Sequence, residues 1–217
     1  MTTVDPREFL LDQFPRKHWP LIPTTLKAAY SAADAMIKEQ PILQVQSAAD
    51  NRGRVVTWAT DRAFEQLVKS GRLPFECRWK PFAKPTGSYL EIQLSHSVLS
   101  ISQVAIREKQ PRSVRFRENG RLNNQPMFDL PEFEEEERVK GLPHLLLVHG
   151  HRSLDFAHLA VPHPQHHRDY RFRSDNLLHL VHEVPTVGPD VEDTEFEFTA
   201  TDLLKQDIEK WQRDNGS

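Results

Sequence analysis

YLEIQLSHSVLSISQV, residues 89–104, alternates apolar and polar side chains through two runs, Tyr89 to Leu94 and Val98 to Val104. A period of two puts every second side chain on one face of an extended chain, so each run reads as a strand and the two together as a hairpin. Phe75-Glu76-Cys77-Arg78-Trp79 carries the same alternation just upstream and supplies a third strand. An antiparallel meander follows from these three runs.

Toward the N-terminus, helical spacing replaces alternation. Asp5-Pro6-Arg7-Glu8 places a capping acid before a first-turn proline, and Phe9, Leu10 and Phe14 form the apolar stripe of a short helix over 5–14. Leu26, Ala29, Tyr30, Ala33 and Ile37, three and four apart, mark a second helix that Pro41 stops. Asp50-Asn51-Arg52-Gly53 lies between Leu43/Val45 and Val56/Trp58, which predicts a hairpin within 42–59. Thr60-Asp61 then caps a third helix with Phe64, Leu67 and Val68 on its face, closed by Gly71 and Pro74.

Toward the C-terminus, Leu145-Leu146-Leu147-Val148 opens a hairpin over 145–161. Phe196 and Phe198 alternate with acids in a further strand, and Thr199 with Asp202 caps a terminal helix presenting Leu204, Ile208 and Trp211. The expected fold is α+β, with N-terminal helices and a C-terminal helix packed on a mainly antiparallel sheet. A gapless offset of 56 lays the 89–105 hairpin on the 145–161 hairpin and Arg115-Phe116-Arg117 on Arg171-Phe172-Arg173. That echo raises a duplicated three-strand unit, in a sandwich or half-barrel.

With 217 residues, 38% apolar and 27% charged, the chain has material for one core and reads as a single domain, 1–217. The charge divides it further. Residues 1–130 hold 19 Lys and Arg against 13 acids, whereas residues 131–217 hold 9 against 18. The sub-division is a basic half, an acidic linker at 131–140 containing Glu132 to Glu137, and an acidic, histidine-rich half from 141. No apolar run approaches the ~20 residues of a membrane helix, and MTTVDPREFL lacks a secretory pattern. Cys77 has no second cysteine to pair with, so a reducing, cytoplasmic setting and a buried structural thiol are expected.

Three constellations carry chemistry. Arg107, Lys109, Arg112, Arg115, Arg117 and Arg121 fall within fifteen residues. Arg115 and Arg117, on an expected strand at 113–117, would project together as forked donors for phosphate or carboxylate. A second basic group, Lys69, Arg72, Arg78, Trp79, Lys80 and Lys84, interleaves cations with an aromatic ring, as nucleic-acid grooves do. Third, nine of the eleven histidines lie between 144 and 182. Of these, His149-x-His151-x3-Asp155, with His158 nearby, has donors suited to a divalent metal.

The spacing His149-x-His151-x3-Asp155 resembles the first metal motif of cupins, with aspartate in place of glutamate and no recognisable second motif. That resemblance implies a small metal-binding barrel. P-loop, dinucleotide-fingerprint, zincin and serine-hydrolase motifs do not occur. Glu91-Ile92-Gln93 lacks the lysine of a metal-dependent nuclease signature.

The leading expectation is a non-catalytic binding or regulatory protein whose basic half meets an anionic partner, nucleic acid first. A metal-dependent enzyme built on the histidines is the alternative. The third possibility is a protein-interaction subunit using the acidic segments at 132–137 and 190–197.

Overall fold

A computed structural model describes residues 4–49, 51–82, 87–112, 117, 120, 121, 124, 141–166 and 169–180. Helix α1 (Pro6–Gln13) starts as its sequence dictates, with Asp5 Oδ1 accepting from Arg7 N at 2.8 Å. Helix α2 (Leu21–Glu39) begins five residues earlier than its apolar spacing marks, because Pro23 sits in its first turn, where no intrahelical N–H is needed. Pro41–Leu43 forms a 3-10 turn, and α3 (Gln46–Ala49) is a single turn of helix.

The hairpin expected over 42–59 does not form. Helix α4 (Arg52–Lys69) runs through its second half, and Thr60 and Asp61 lie buried in mid-helix rather than at a cap. The reason is packing. Val55, Val56 and Ala59 share one helix face and bury against Ala29, Tyr30, Ala33 and Met36 of α2, a contact that alternating strands could not offer.

The sheet is one open, six-stranded layer in chain order: β1 (Glu76–Pro81), β2 (Ser88–Gln93), β3 (Val98–Val104), β4 (His144–Gly150), β5 (Ala157–Pro162) and β6 (Tyr170–Arg173). All neighbours are antiparallel except the central pair β3 and β4, which run parallel from Val98 beside His144 to Val104 beside Gly150. Two three-strand meanders therefore join along a parallel seam. The 56-residue echo superposes two real hairpins. Its third strand fails, however: the first meander takes β1 from upstream, and Arg117 is helical. The sheet does not close into a barrel, and among the described residues no second sheet packs on it, which corrects the sandwich, half-barrel and cupin-like expectations.

The two faces of the sheet differ. Leu90, Ile92, Leu99, Leu145, Leu147, Leu159 and Val161 point to one side and bury against Leu10, Phe14, Ile22, Leu26, Phe64 and Leu67 of the helices. Alternation sends Glu91, Ser100, Ser102, His144, Leu146, Val148, His158 and Ala160 to the other. On that second face only a small apolar cluster forms, from Val104, Leu146, Val148, Phe156 and Ala160. A parallel pair needs a long connection, and residues 105–143 supply it, crossing the second face wherever they are described. Tyr170 Oη donates to Lys109 O at 2.7 Å, and Gly120 lies against the His144 ring. Asn124, fully buried, accepts from His144 N at 2.6 Å and donates to His144 O and Pro162 O.

The expected acidic linker, the strand at Phe196 and Phe198 and the C-terminal helix lie outside the described residues. Among the described residues no helix is long and apolar enough to cross a membrane. Cys77 is half-buried in β1, and burial pushes its thiol up, away from reactivity.

Candidate anion-binding face

One register row crosses the whole sheet: Arg78 beside Glu91, Glu91 beside Ser100, Ser100 beside Leu146, Leu146 beside Ala160 and Ala160 beside Arg173. In-register residues share a face, so the second face begins and ends on an arginine. Its acid, Glu91, is buried and already engaged, with Lys80 Nζ at 2.8 Å. At the centre, Ser100 Oγ lies 2.8 Å from His144 Nε2. Burial, with Arg117 close by, lowers the His144 pKa to about 3, so the ring is neutral.

His158 lies on the next row, beside Val148. It is fully buried, stacked on Phe156 with centroids 5.8 Å apart and edge-on to Tyr170 at 5.7 Å. Burial first, then Arg173 and Arg107, lowers its pKa to about 3 as well. Arg173 donates from Nη1 to Arg107 O at 2.9 Å, and the nearest acid, Glu108, stands 4.0 Å from the same nitrogen and is largely exposed.

Polar groups on this face outnumber their partners. Both ring nitrogens of His158, Nδ1 of His144, Nε of Arg107, Nε of Arg121 and Oγ of Ser102 are buried with no hydrogen-bond partner among the described residues. Each such orphan costs about 1–3 kcal/mol. Arg117 donates to Arg112 O at 3.0 Å, yet burial lowers its pKa to about 10. Neutral imidazoles and half-buried guanidiniums thus gather on one face of the sheet, the histidines buried and Arg107, Arg117, Arg121 and Arg173 partly open to solvent.

The basic residues expected at the site divide. Arg117 and Arg121 are half-buried in helical turns on the second face, not on a strand, while Arg112 is exposed. Lys80 is committed to Glu91, and Arg78 is exposed on the edge strand. Trp79 faces the helices instead, where Glu65 of α4 accepts from its Nε1 at 3.1 Å, and Lys69, at the end of α4, pairs with the same carboxylate at 2.8 Å. Burial would raise the Glu65 carboxyl, but hydrogen bonds from Lys69, Trp79 and Arg62 together hold it below its ordinary value. The Trp79 bond ties β1 to α4. Arg72 is exposed in the turn between them, and Lys84 and Arg115 lie outside the described residues.

The expected metal ligands do not converge. His149 faces the helices, where its Nδ1 lies 2.8 Å from Tyr30 Oη, and Tyr30 donates its hydroxyl proton to Gly150 O. With that proton spent, His149 Nδ1 must carry the hydrogen of their shared bond. His158 points to the opposite face. His151 is exposed in the turn beyond β4, 3.2 Å from Gln103 Oε1, and Asp155 accepts from Ser153 Oγ at 2.5 Å. Among the described residues no three metal-ligating side chains come together.

Arg107 stood out in the sequence only as one member of a basic run. His144, His158 and Arg173 gave no signal that they share a face with it, apart from the Arg-Phe-Arg echo at 171–173. No protein family, curated protein or solved structure matches this chain.

Proposed function

We propose that this protein is a non-catalytic binding protein that takes an anionic partner, a nucleic acid, on the second face of its sheet. The observation that carries the reading is the gathering of arginines there among the described residues. Half-buried Arg107, Arg117, Arg121 and Arg173 lie around the buried, neutral His144 and His158, and the one buried acid of that face among the described residues, Glu91, pairs with Lys80. Exposed Arg78 and Arg112 extend the footprint beyond a single phosphate. Several separate cationic points suit a backbone with one charge per ~3.4 Å of strand better than one small anion. The lone Cys77 is consistent with a reducing, cytoplasmic setting.

Fluorescence anisotropy with labelled single- and double-stranded oligonucleotides tests this across a salt series. The expected result is binding that weakens steeply as salt rises. Arg117→Gln and Arg121→Gln should each weaken binding and lower the log–log salt slope by about 0.7–0.9 per lost phosphate contact. Absent or salt-insensitive binding overturns the reading.

A further inference from the structure

Isolated exposed apolar side chains are ordinary, but three large ones around a single cavity are not. Ile42, Val45 and Trp58 are 75%, 48% and 55% exposed, and all three line one pocket of about 360 Å³ at the end of the α2/α4 pair. Arg54, Val55 and Trp58 form one wall. Together with Asn51 they follow helical spacing along α4, which makes that wall a straight stripe. Leu43, Val45 and Ala48, from the 3-10 turn and α3, form the other. A groove laid along a helix and walled by a second short element is the shape that receives another helix.

The groove also has a sign. Among the described residues its one charged lining residue is Arg54, no carboxylate lines it, and Arg54 has no ion pair. The nearby Asp34 is held by Arg52. We infer that this groove docks an amphipathic helix of a second protein, seating two or three apolar side chains around Trp58 and setting an acidic residue against Arg54. Tryptophan and arginine are the residue types that concentrate binding energy at such contacts.

The test uses the full chain and two helix-stabilised model peptides with the same leucine and phenylalanine face, one flanked by glutamates and one by lysines. Two-dimensional NMR of the tryptophan indoles reads the contact directly. The expected result is saturable movement of the Trp58 indole signal by the acidic peptide, with roughly ten-fold weaker binding of the lysine version. Trp58→Ala should abolish binding, and Arg54→Glu should invert the preference. Both positions are on the surface, and circular dichroism confirms that the variants keep their helices. An unmoved Trp58 signal, equal binding of the two peptides or binding unaffected by Trp58→Ala overturns the proposal. So does a self-association that Trp58→Ala removes, because the groove would then belong to a second copy of the chain.

Discussion

His158 is buried with neither ring nitrogen bonded among the described residues, an arrangement that costs the fold. His158→Leu should therefore stabilise the protein by about 1–3 kcal/mol, read as a higher urea midpoint at pH 7. Acid sensitivity follows from the same burial. The pKa values of His144, His149 and His158 are lowered from 6.5 to about 3, 4 and 3, so the folded chain resists protons that the unfolded chain accepts. The stability they contribute is present above pH 6.5 and is lost as pH falls toward those folded values. Asp61 works against them. Burial, with Glu65 near, raises its pKa to about 7, so its contribution is present below 3.8 and lost as pH rises to 7. Three histidines outweigh one aspartate, so urea midpoints should fall between pH 6.5 and 4.5. The fall should be steeper in Asp61→Asn and shallower in His158→Leu. A flat profile contradicts the burial of these rings.

The same turn residues can open a helix or close a hairpin, which is why α4 was only half legible. Asn51-Arg52-Gly53 reads as a turn between alternating runs, yet Val55, Val56 and Ala59 also lie on one helix face, and the presence of α2 decides between the two. Gly53 is there for a different reason: a β-carbon would come within 2.8 Å of His151 Cε1, the end of an exposed side chain that can move. At Gly150 a β-carbon would collide with the Ser153 carbonyl, in a turn where Arg152 has φ 70° and its own carbonyl is held by Arg52. Gly53→Ala should leave stability within about 1 kcal/mol of the parent, since helix propensity offsets the displaced ring. Gly150→Ala should cost about 2–3 kcal/mol, because backbone cannot step aside. Denaturant midpoints that rank the two variants the other way would refute this account of the turn.

Across the molecule, what the sequence made legible was local. Alternation marked the runs at 75–79, 89–94 and 98–104, and spacing marked α1 and the body of α2, because each pattern is complete within a dozen residues. The composition of the second face was not legible, since Arg78, Ser100 and Arg173, like His144 and His158, come to one side only through strand register. The histidines drew a metal reading because one-dimensional density says nothing of which side each ring takes. The parallel seam has a kinetic consequence. Each meander can assemble from neighbouring residues, whereas joining β3 to β4 must close the whole intervening loop before any contact rewards it. The seam thus forms last. Leu147→Ala, in the core along that seam, should speed unfolding while barely slowing refolding, so the lifetime of the native state is set where the two halves meet.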